Sequence, residues 1–127
     1  MSGYFIVNEK LPSLNEVLNK NRANRYAGAS LKKQVDETIC LYIRHAMAKG
    51  YLKPMNETPC VVFINWYEKT KKRDVDNIQS SQKFILDALQ KCGVIKRDSR
   101  KYVKQIFHAV LDGDYDHVIV RLQEDEA

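Results

Sequence analysis

Cysteine and glycine are scarce in these 127 residues, at three and five, and both scarcities exclude something. Cys40, Cys60 and Cys92 are odd in number, far apart and set among apolar neighbours, which fits buried free thiols in a reducing cytosol better than disulfides or a zinc site. No stretch has the form of a phosphate-binding glycine loop or a nucleophile elbow. The three histidines, His45, His108 and His117, lie at no metal-ligand spacing from one another and read as structural or solvated. Long apolar runs are also missing. The best, Cys60 to Ile64, falls far short of the ~20 residues a membrane helix needs. The start, Met1 to Val7, lacks the basic residues and long apolar region of a signal peptide. A cytoplasmic protein without a membrane partner is expected.

What the chain does have is positive charge. Lys and Arg number 21 against 16 Asp and Glu, a net +5, which favours a polyanionic partner, nucleic acid first. The length suits one domain, 1–127, with one core.

Hydrophobic periodicity outlines the elements. Tyr4 to Val7 reads as a strand, and Ser13 can cap a short helix from Leu14. The basic, asparagine-rich stretch 19–28 reads as an exposed connection or an extension of that helix. A second helix is predicted from a cap at Ser30 to about Ala48, stopped by Gly50. Cys60 to Tyr67 is apolar on both alternating faces and is expected at the centre of a sheet. A third helix should run unbroken from Val75 or Asp76 to Cys92, ended by Gly93. Lys101 to Leu111 and His117 to Leu122 then read as strands joined in a terminal β-hairpin through Asp112-Gly113-Asp114. The tail, from about residue 123, should fray. The predicted fold is α+β, β-α-α-β-α-β-β, a mixed sheet packed with helices.

The chemistry concentrates in Lys71-Lys72-Arg73-Asp74-Val75-Asp76-Asn77, at the mouth of the central strand. On extended backbone, side chains two residues apart point the same way, so Asp74 and Asp76 could share one hard divalent cation. Magnesium keeps several waters and needs only one or two carboxylates besides a substrate phosphate. It can activate water, neutralise phosphate charge and help a leaving oxygen. A plainer account is open for each residue. Asp76, three before Gln79, also fits a capping box, and Asp74 fits a surface ion pair. Lys83 and Asp87, four apart on one helix face, fit either an exposed ion pair or a cation presented to a phosphorane. Asp98, in the basic turn that continues to Arg100 and Lys101, fits local backbone hydrogen bonding as well as metal binding.

Arg73-Asp74-Val75-Asp76-Asn77, then Lys83 to Leu89, then Gly93-Val94-Ile95 followed by Asp98-Ser99, resembles the RusA-type Holliday junction resolvases of phage and prophage origin. Leu11-Pro12-Ser13-Leu14-Asn15 extends the likeness towards the N-terminus. The resemblance implies a homodimer that cuts four-way DNA junctions with Mg2+, Mn2+ being able to substitute, and with no small-molecule cofactor. It also implies Asp74, Asp76 and Asp98 as metal ligands, Lys83 as the catalytic lysine and Asp87 in support. Arg73 would sit beside the scissile phosphate. From the charge pattern itself, Lys69, Lys71, Lys72, Arg73, Arg100, Lys101 and Lys104 are expected to contact DNA phosphates. Two positions depart from the family pattern. Three extra residues separate Asn77 from Lys83, which in an unbroken helix amounts to ~300° of rotation and ~4.5 Å. Arg97 stands where many relatives carry another aspartate. Two rival readings remain: a branched-DNA-binding module without cleavage, and a phosphodiesterase acting on another nucleic-acid substrate.

Overall fold

The computed structural model describes residues 2–125. Four strands, β1 (Ser2–Val7), β2 (Cys60–Glu68), β3 (Val103–Asp112) and β4 (His117–Glu124), form one mixed sheet in the order β1-β4-β2-β3. The helices are α1 (Leu14–Ala23), α2 (Arg25–Ala48), α3 (Val75–Gln79) and α4 (Gln82–Lys91).

β2 takes the central position that its apolar run predicts, antiparallel to β4 and parallel to β3. Cys60, Val62, Ile64 and Trp66 are buried with residues of all four helices in a single core, together with Phe5 and Val7 of β1 and Val118, Val120 and Leu122 of β4. None of the alternate residues, which face the other side of the sheet, is buried. The architecture is therefore two layers, helices on one face of the sheet.

The expected terminal hairpin is not formed, because β2 lies between β3 and β4. Stepping across an intervening strand means covering about 9.6 Å, which the four residues between β3 and β4 can span. Their path is fixed over the end of β2, where Gly113 N donates to Glu68 O at 3.1 Å. A Cβ on Gly113 would sit 3.2 Å from the Cβ of Tyr67.

The expected third helix is divided at Ser80-Ser81. Ser80 Oγ donates to Asn77 O at 2.6 Å and accepts from Leu14 N at 3.0 Å, while Ser81 Oγ donates to Pro12 O at 2.6 Å. Serine hydroxyls offer the backbone such alternatives to a continuous helix. The ~300° rotation expected before Lys83 therefore does not apply.

α2 starts six residues earlier than expected, with Asn24 as its cap in place of Ser30; the Asn24 side chain accepts from Tyr26 N and Ala27 N. Nor does the chain fray from residue 123. Gln123 and Glu124 pair with β2, and Asp125 N donates to Pro59 O at 2.8 Å; Glu126 lies outside the described residues.

Candidate functional site

The acidic junction begins where β2 ends. Its organising contact is a pair between Glu68, the last residue of β2, and Arg73. Arg73 Nε donates to Glu68 Oε1 and Arg73 Nη2 to Glu68 Oε2, both at 2.9 Å, with the side chains only 13% and 10% exposed. Arg73 Nη1 donates to Leu11 O at 2.9 Å and lies 3.8 Å from Glu16 Oε1. The guanidinium expected beside a scissile phosphate is thus turned inward, holding the chain as it leaves the sheet. The sequence suggested a surface role because Arg73 stands in a run of lysines.

Arg73 delivers the chain to α3. Asp74 is the N-cap, with extended backbone (φ −71°, ψ 152°), and its carboxylate makes no capping hydrogen bond. Asp76 lies in the first turn, so it is not the cap. Because the helix begins at Val75, the pair straddles a helix start and does not lie along one extended strand. Both carboxylates are on exposed residues. An N-cap aspartate normally accepts from the helix backbone and contributes ~1 kcal/mol. Asp74 forgoes that bond and leaves its oxygens open.

The Leu11-to-Asn15 segment and the acidic junction, 62 or more residues apart, are bolted together. Besides the contacts of Leu11, Pro12 and Leu14 already described, Asn15 Nδ2 donates to Asn77 Oδ1 at 2.9 Å. Asn15 and Asn77 therefore belong to the site. No local pattern marks Asn15 as functional, although its segment is part of the family likeness.

Lys83 and Asp87 form an ion pair on α4 at 4.0 Å, with side chains 58% and 30% exposed. Asp87 also acts on Asp36 of α2, whose carboxyl is pushed up chiefly by burial and further by Asp87, while Lys32 and Lys91 pull it down. Asp98 lies in an exposed bend before β3, followed by exposed Arg100 and Lys101, with the Lys101 ammonium 5.6 Å from the Tyr102 ring centroid. Lys71 and Lys72 are exposed in the loop after β2, where Lys71 lies 3.8 Å from Asp112.

Among the described residues, no three His, Cys, Asp or Glu side chains are grouped so as to hold a metal. Asp74, Asp76 and Asp98 are therefore not assembled as a three-carboxylate set. Asp74 and Asp76 fit a hard cation by their chemistry: two exposed carboxylates, with the cap bond of Asp74 unmade, are the complement that magnesium requires when waters fill its other positions.

No family model matches the chain, and no curated protein matches it.

The cysteines are free thiols, and burial pushes both Cys60 and Cys92 up to about 11. Thiols so shifted are poor nucleophiles at neutral pH. His108 bridges the layers, accepting from Trp66 Nε1 through Nδ1 at 2.9 Å and meeting Gln82 Oε1 through Nε2 at 2.6 Å. No helix among the described residues is long and apolar enough to cross a membrane.

Proposed function

We propose that the protein is a magnesium-dependent endonuclease of the RusA type that resolves four-way DNA junctions, working as a homodimer in the cytoplasm of a bacterial or phage-infected cell. The observation that carries this reading is the junction after β2. An inward-turned Arg73 fixes the chain there, and two exposed carboxylates follow it, one of them declining its capping bond. Asp74 and Asp76 would hold the cation, which when bound supplies Lewis acidity and an activated water. Lys71 and Lys72, with Arg100 and Lys101, would neutralise phosphates and make binding fall steeply with salt. Lys83 contributes a flexible positive charge. A C2 pair offers two equivalent sites to the two symmetry-related strands of a junction.

The test is incubation of end-labelled four-way junction and linear duplex with the protein, with and without magnesium. Paired symmetric nicks on the junction alone, dependent on metal, are expected. The separation of Asp98 from the aspartate pair favours a second reading, a branched-DNA-binding module without cleavage. Tight junction binding with no product would select it. Equal cleavage of duplex or mononucleotides would point to another phosphodiester substrate.

A further inference from the structure

We infer that the helix-free face of the sheet is where two copies of this chain pack. The proposal gives the dimer of the proposed function a surface, and it rests on that reading only for the purpose of the dimer.

Fifteen paired strand positions point to this face, and Arg121 is the only Lys, Arg, Asp or Glu among them; Lys104 stands at the register shift between Val103 and Gln105, where β3 begins. The chain as a whole is 29% charged, so about four charges would be average. Charge depletion of this degree marks the centre of protein interfaces. It also argues against DNA, because one cation cannot neutralise a phosphate backbone.

The aromatic side chains point the same way. Phe63 stacks on Phe107 with centroids 5.2 Å apart and planes 14° from parallel, and the Arg121 guanidinium lies 4.2 Å from the Phe63 centroid. Phe63 stands on β2 between β3 and β4, so its neighbours take both its faces. His117 is stacked in the same way, against Tyr67 at 4.3 Å and Tyr115 at 4.2 Å. Nucleobases stack on free ring faces. Phe63 and His117, the middle rings of these rows, present only their edges, which suits interdigitation with a second sheet about 10 Å away.

The area is sufficient. Four strands about 4.8 Å apart and about eight residues long cover roughly 500 Å² in plan. Two copies reach roughly 1,000 Å² before side-chain relief is counted, the floor for a specific interface. With Phe107 46% exposed and Leu111 38% exposed, much of that surface is available to a partner.

The face also reaches the loop that leads from β2 towards the acidic junction. Tyr115, at one end of an aromatic row, belongs to the link between β3 and β4. The neighbouring Asp116 accepts from Lys69 N at 2.8 Å. Packing a second copy on this row would brace the loop that carries Lys71 and Lys72.

Sedimentation of the full chain, without DNA or metal, tests the surface directly. Wild type is expected to sediment as a dimer at micromolar concentration, and Phe107→Lys is expected to raise the dissociation constant roughly thirtyfold or more while circular dichroism stays unchanged. Leu111→Lys, on the same face, repeats the test if Phe107→Lys fails to fold. Leu41→Lys, at a 67% exposed apolar residue of α2, should leave the dimer intact. A monomeric wild type, or a dimer sensitive to Leu41→Lys but not to Phe107→Lys, overturns the proposal. A dimer of this kind that leaves junctions uncut would keep the surface and remove the nuclease, whereas a monomer that nicks junctions would do the reverse.

Discussion

Arg73 and Glu68 are joined by two parallel hydrogen bonds of 2.9 Å, across a loop of four residues that holds Lys69, Lys71 and Lys72. Both side chains are nearly out of water, so each is the other's main source of charge compensation. Breaking such a pair by removing one partner costs about 3–5 kcal/mol, because the remaining charge stays buried. Arg73→Ala and Glu68→Ala should each lower the urea midpoint strongly. The double variant should cost less than the sum of the two. Arg73→Lys should not restore stability, since an ammonium cannot make the bidentate contact. Additive losses in the cycle would show that the two groups act independently.

Asp74 and Asp76 should behave in the opposite way. Neither is the source of a helix-capping bond, so Asp74→Asn and Asp76→Asn are expected to change stability by less than about 1 kcal/mol. Junction cleavage should be lost in both, with binding kept or tightened because negative charge is removed near the phosphates. The measurement is paired: an unfolding curve and a gel of labelled junction for each variant. A large fall in stability together with the loss of cleavage would return these residues to a structural role.

Gly28 sets two effects of opposite sign against each other. Alanine is favoured over glycine in a helix by about 1 kcal/mol. A Cβ at Gly28, however, would lie 2.5 Å from Asn21 Cα, where α1 packs on α2, and the obstruction is backbone. Overpacking of this kind costs about 1–3 kcal/mol. Gly28→Ala is therefore expected to be destabilising on balance. A raised urea midpoint would mean that α1 shifts away at little cost.

Much of this molecule is written locally, and the exceptions share a cause. The apolar run from Cys60 placed β2 at the sheet centre, and Gly50 and Gly93, both at positive φ (79° and 75°), stand where their helices were expected to stop. The division at Ser80-Ser81 escaped because it depends on Pro12 and Leu14, more than 60 residues away. The terminal hairpin was expected because two strands with a short polar link ordinarily pair. Nothing in that link reports that β2 takes the place between them. At the candidate site, the charged residue types were legible from their spacing. Which of them turns inward was not, because Arg73 owes its burial to Glu68, Leu11 and Glu16 together. The α+β class with a mixed sheet follows from the element order, whereas the partners of each strand follow from tertiary contacts.

His108 makes the stability of the fold depend on pH. Its Nδ1 accepts from Trp66 Nε1, which leaves Nε2 as the protonated nitrogen donating to Gln82 Oε1. Adding a proton would set an Nδ1–H donor against the Trp66 donor, breaking the bond between β2 and β3. Burial also holds the imidazole pKa below its ordinary value of 6.5. The folded state therefore takes up fewer protons than the unfolded chain once pH falls below about 6.5, and stability must decline with pH in that window. The decline ends when pH passes below the lowered folded value, where both states are protonated. Urea midpoints of the wild type and of His108→Gln, taken at half-unit steps between about pH 7.5 and 5, isolate this group from His45, His117 and the carboxylates. The wild-type midpoint should fall further than that of the variant below pH 6.5. Parallel curves would mean that His108 takes up its proton without loss, and that the Trp66 bond is not what holds the ring.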